Sequence, residues 1–185
     1  MLIPGLSELA LALTLASAQA PVPYNNPRYG LALSAPRGFT LCVDGPPAPN
    51  RGAFLLLSVP GACPGVVPWD ALYISVSASY NALEYKTLKE TADKRCPKGA
   101  ALAYDSKDLR FSGTPSASCR YNDRQGHARI DVFALRKERK DKRLGHAPDD
   151  WILFEATLVT APQRLQQDLA TFKATLAGIR FSPAP

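Results

Sequence analysis

The chain is poor in the residues that most enzyme chemistry needs. Its 185 residues include two histidines, His127 and His146, and a single methionine. None of its four cysteines forms a C-x-x-C pair, which removes the spacing used by zinc sites and dithiol redox centres. There is no G-x-S-x-G elbow to present a strained serine nucleophile. No apolar run reaches the roughly 20 residues that span a bilayer, because Pro4 and Glu8 interrupt the one at the N-terminus. No lysine or arginine precedes Arg28. No metal and no cofactor is expected from these residues.

What is present points first to export. Leu9 to Ala16 reads Leu-Ala-Leu-Ala-Leu-Thr-Leu-Ala, an apolar helix-forming stretch of signal-peptide length. Small residues follow, and cleavage after Ala18 is preferred over cleavage before Pro21. Proline after the scissile bond lacks the amide hydrogen and fixes φ, so it fits an extended substrate groove poorly. The absent basic n-region runs against the pattern and puts the translation start in question. Residues 1–18 are therefore read as a signal peptide, 19–28 as an extended lead-in and 29–185 as one globular domain. The expected location is periplasmic or secreted, with no stable membrane anchor after cleavage.

Export gives the cysteines a meaning. Cys42, Cys63, Cys96 and Cys119 form an even set, and in an oxidising compartment bridges are the default. Four cysteines allow three connectivities. The local pairs Cys42–Cys63 and Cys96–Cys119 are the expected ones, each closing a loop of about twenty residues and stabilising by about 3 kcal/mol.

Hydrophobic patterning describes an α+β domain with an antiparallel sheet. Short β segments are expected at Tyr29–Ser34, Phe39–Val43, Ala53–Val59 and Ala71–Ala78, punctuated by proline and glycine. A helix capped by Asn81, with Glu84 three residues on, is expected to run to Pro97 and carry Cys96 towards the sheet. Two hairpin-like segments follow, near Asp108–Ser112 and Ser116–Tyr121. The strongest β signal is the pair Ala128–Arg136 and Trp151–Thr160, apolar on both faces and so expected to be covered on both. A second helix is expected over Pro162–Ala177 with the stripe Leu165, Leu169, Phe172 and Leu176, then a closing strand at Ile179–Ser182.

The first strand, Tyr29-Gly-Leu-Ala-Leu-Ser-Ala-Pro-Arg-Gly-Phe39, and the late strand, helix and short strand ending Ile179-Arg-Phe-Ser-Pro183 resemble the PsbP-like superfamily. That resemblance implies an α/β/α sandwich around an antiparallel sheet. It also implies a binding or assembly role, since family members include photosystem extrinsic subunits, a small Ran-binding factor and bacterial secretion adaptors. No family site residue transfers to this chain.

The candidate binding residues are the cations of the run Arg136, Lys137, Arg139, Lys140, Lys142 and Arg143, interrupted by Glu138 and Asp141. Read functionally, this is a charged hairpin tip that engages an acidic partner or a polyanion; the plain alternative is a solubilising loop. The run lacks interleaved aromatics to stack bases, and an exported protein does not meet nucleic acid. Without Glu8, the net charge rises one unit above the +6 of the whole chain, which favours anionic surroundings. The expectation is a non-enzymatic binding or accessory module of the cell envelope, of toxin-neutralising or assembly type, with a protein partner. The competing expectation is a small secreted hydrolase. It would use His146, with Asp149 or Asp150 orienting it, or Asp131 and Glu155 facing each other across the hairpin.

Overall fold

The computed structural model describes residues 23–43, 51–57, 63–64, 67–68, 70–81, 83–105, 107–137 and 151–182. The leader therefore lies outside the described residues. Two long strands dominate. Strand β8 (Ala128–Lys137) and strand β9 (Trp151–Thr160) pair antiparallel along their whole length, from Ala128 opposite Thr160 to Lys137 opposite Trp151. Their period-2 alternation fixes that register, because a slip of one residue would exchange the two faces.

Around this pair a seven-stranded antiparallel sheet assembles. Strands β3 (Cys42–Val43), β4 (Gly52–Leu56) and β5 (Tyr73–Tyr80) extend it on the β9 side. Strand β7 (Ala117–Asn122) and the short edge strand β6 (Ala101–Ala103) extend it on the β8 side. Gly52 lies so close to β5 that an added Cβ would sit 2.1 Å from the Val76 carbonyl oxygen, so no larger residue fits there. A separate three-stranded sheet joins the two ends of the domain. Strand β2 (Leu31–Leu33) lies between β1 (Tyr24–Asn26) and β10 (Arg180–Phe181).

The described residues are mostly β, with two α-helices. One sheet face presents Ile130, Val132, Ala134, Phe154, Ala156 and Leu158 to the main core. Helix α2 (Leu165–Gly178) adds Phe172 and Leu176 to that core, and the small sheet adds Leu31 and Leu33. The expected α2 stripe is thus the buried one, with Leu165 and Leu169 packed at its margin. The other face carries a smaller cluster of Tyr85, Cys119, Phe133 and Leu153, and helix α1 (Leu88–Arg95) packs against β7 and β8.

Both expected disulfides are present, Cys42–Cys63 with Cα atoms 5.4 Å apart and Cys96–Cys119 with Cα atoms 6.2 Å apart. Cys96 caps the C-terminus of α1, and Cys119 lies fully buried on β7.

Several local expectations are corrected. Helix α1 starts at Thr87 rather than Asn81: the Glu90 amide donates to Thr87 Oγ1 (3.1 Å), and the Lys86 amide donates to Glu90 Oε2 (2.9 Å). Glu84 adopts a left-handed φ of 55°, which stops a helix from running through it. Asn81 closes a turn instead, with its side-chain amide bonded to both the carbonyl and the amide of Tyr85. Residues 108–112 form no strand beyond a single bridge between Phe111 and Thr114. On the side of β7 away from β8 the partner is β6, which the sequence patterning did not single out. The lead-in is also more ordered than expected: Tyr24 and Asn26 are buried, and β1 belongs to the small sheet.

Candidate functional site

On the α1 side of the sheet, polar residues line up in rows set by the strand register. Tyr121, Arg129, Val159 and Tyr73 form one row across β7, β8, β9 and β5. Cys119, Asp131, Thr157 and Ser75 form the next, and Ala117, Phe133, Glu155 and Ser77 the one after. Asp131 is the hub of this surface and is only 3% exposed. Its carboxylate accepts from Tyr121 Oη (2.7 Å), Thr157 Oγ1 (2.7 Å) and Arg129 Nε (3.3 Å).

Charge and burial in this cluster act together. Burial pushes the Tyr121 phenol well above its ordinary value, and its hydrogen bond to Asp131 adds to the shift. Tyr73 is raised mainly by burial as well. Burial, the largest single influence, lowers the Arg129 guanidinium, but Asp131, Tyr121 and Tyr73 together outweigh it and the net shift is upward. Both phenols therefore stay protonated at neutral pH. An acceptor already holding three donors has little capacity left to take a substrate proton, so the cluster reads as a lock on the sheet face.

The other expected residues fall into place one by one. Asp131 and Glu155 share a face but do not oppose each other: Asp131 sits across from Thr157, and Glu155 across from Phe133. Glu155 is ion-paired with Arg95 at the end of α1. His127 closes the β7–β8 turn, where Asp123 Oδ1 accepts from the amides of Gln125 and His127 at 2.9 Å each. Its Nδ1 lies 3.4 Å from Asp123 Oδ2. Arg136 and Lys137 belong to the end of β8 rather than to a loop tip, paired with Ile152 and Trp151. The Arg136 guanidinium stacks 4.4 Å from the Phe181 ring centroid, and burial lowers its pKa. Arg139, Lys140, Lys142, Arg143, His146, Asp149 and Asp150 lie outside the described residues.

The two signs of charge are used differently. Most described carboxylates are spent on internal work: Asp93 pairs with Lys89, Asp105 with Arg110, Asp123 with His127, Glu155 with Arg95 and Asp168 with Arg164, whereas Asp70 and Glu84 are exposed and make no ion pair among the described residues. Asp168 is 2% exposed; it also accepts from Thr160 Oγ1, tying the start of α2 to the end of β9. Lys98, Arg120 and Arg124, by contrast, are exposed and make no ion pair among the described residues. All three lie around the far end of β7. The missed signal was not composition but topology: Lys98 follows α1, and the register of β6 on β7 brings it beside the β7–β8 turn.

Among the described residues, no three of His, Cys, Asp and Glu converge as a metal site, and no helix is long and apolar enough to cross a membrane. The chain matches no protein family model and no curated protein sequence. Among solved structures it is similar to the solution structure of cyanobacterial PsbP (CyanoP) from Synechocystis sp. PCC 6803. The two share 13% sequence identity, with a TM-score of 0.45, over 94% of this chain and 99% of that one. The resemblance to PsbP is thus a structural one at low identity.

Proposed function

We propose that the chain is an exported, disulfide-stapled binding module that engages an acidic protein partner in the periplasm or outside the cell. One observation carries the reading: most described carboxylates are held by internal partners, while Lys98, Arg120 and Arg124 gather around the end of β7, exposed and without an ion pair among the described residues. Such a surface attracts anionic groups over a distance set by ionic strength, about 8 Å at physiological salt. Two bridges fit an oxidising compartment, and cleavage after Ala18 places the mature chain there. A helix on each face of the large sheet supports describing the domain as an α/β/α sandwich.

The test uses the mature chain, residues 19–185, with fluorescent poly-glutamate as the acidic probe and poly-lysine as the control. Binding to poly-glutamate should weaken steeply as salt rises from about 50 mM to about 500 mM. No binding at low salt, or equal binding to both polymers, would sink the reading.

A further inference from the structure

The large sheet ends on one side in β6, and no described strand pairs with its outer edge. An open edge carries unpaired amides and carbonyls, and proteins usually guard it with charge, proline or a bulge. Residues Ala101, Leu102 and Ala103 offer none of these, and all three are exposed. Leu102 is 39% exposed and Tyr104 is 40% exposed. Leu102 lies opposite Cys119, so it shares the α1 face of the sheet. Tyr104, two residues on, is held from the same side: its hydroxyl donates to Asp93 Oδ1 at 2.9 Å, and Lys89 Nζ lies 5.3 Å from its ring centroid. The edge thus offers backbone pairing groups next to two apolar side chains, one of them already fixed by α1.

At the N-terminal end of β6 the chemistry changes. A shallow basin of about 440 Å³ opens there, lined by Lys98, Gly99, Ala100, Tyr121, Asn122 and Arg124. Lys98 and Arg124 are exposed, and neither makes an ion pair among the described residues. The acid in the lining, Asp123, is occupied by the turn amides and His127.

We propose that the outer edge of β6 docks an extended, acidic C-terminal segment of a partner protein as an added antiparallel strand, with its carboxylates in the Lys98–Arg124 basin. The polarity decides the end. A strand running against β6 passes Tyr104 first, then Leu102, and delivers its C-terminus to Lys98. Main-chain pairing supplies affinity, alternate side chains supply selectivity, and the terminal carboxylates fix the register. Three paired residues on β6 are few, so the basin is needed to hold the strand. This proposal rests on the acidic-partner reading and adds the partner's conformation and direction to it.

The probe is a labelled peptide, Thr-Val-Thr-Val-Thr-Asp-Asp-Asp, with a free C-terminal carboxylate, followed by anisotropy with the mature chain. Two further peptides carry N-methyl groups on alternate amides, one set for each edge of the peptide. Strand docking predicts that one methylation pattern weakens binding at least about tenfold while the other leaves it within about twofold. Lys98→Glu with Arg124→Glu should weaken the parent peptide by a similar factor; circular dichroism checks that the fold is kept. Equal binding of both methylated peptides and the parent overturns strand docking. Failure of the parent peptide where poly-glutamate still binds overturns the docking site and leaves the acidic-partner reading standing. Failure of both probes overturns both.

Discussion

Asp131 is the residue on which the α1 face of the sheet depends most. Removing its carboxylate leaves the Tyr121 and Thr157 hydroxyls and the Arg129 guanidinium facing a hole, and each orphaned buried group costs about 1–3 kcal/mol. Asp131→Ala should therefore destabilise by about 3 kcal/mol in urea unfolding, with Asp131→Asn losing less because it keeps an acceptor. A loss under about 0.5 kcal/mol would show that the hub is not structural. The same cluster makes stability fall in alkali. Tyr121 and Tyr73 have folded-state pKa values raised above the unfolded value, so the folded state holds their protons longer. Their contribution is complete below about pH 10 and is lost as pH climbs from there towards the folded values. Melting temperature should drop above about pH 10, and less so in Tyr121→Phe; identical alkaline profiles for the two would contradict the assignment.

At the scale of elements, what could be read from the sequence depended on how much each element's own residues decide. Strands β8 and β9 were legible because two ten-residue apolar, β-branched runs leave one register that buries Ile130, Val132 and Phe154 together. Helix α2 was legible for the same reason, through the 3.6-residue period of Leu165, Leu169, Phe172 and Leu176. The start of α1 was not, because two capping patterns compete six residues apart: Asn81 with Glu84, and Thr87 with Glu90. Backbone conformation at Glu84 settles it, and no local propensity announces that. Thr87→Ala should accordingly cost about 1 kcal/mol, whereas removing the Glu84 side chain should cost almost nothing; thermal melts of both variants distinguish the two caps. Strand β6 was invisible because Ala-Leu-Ala carries little β preference, and only pairing with β7 makes it extended. The basin beside it was hidden for the same reason. The Cys96–Cys119 bridge was legible because the helical stripe pointed Cys96 at the sheet.

At the scale of the whole molecule three features combine: β1 and β10 pinned together through β2, loops stapled by two bridges, and exposed unpaired cations gathered at the end of β7. That clustering is the functional claim, because net charge alone would make any basic protein bind any polyanion. The measurement that tests it most directly compares two variants of equal net charge by titration against poly-glutamate. One carries Lys98→Glu and Arg124→Glu at the end of β7; the other carries Arg37→Glu and Arg51→Glu, exposed cations outside that cluster. Localised recognition predicts a loss of at least about tenfold for the first and under about twofold for the second. Equal losses would mean that binding follows net charge alone, and would contradict the account.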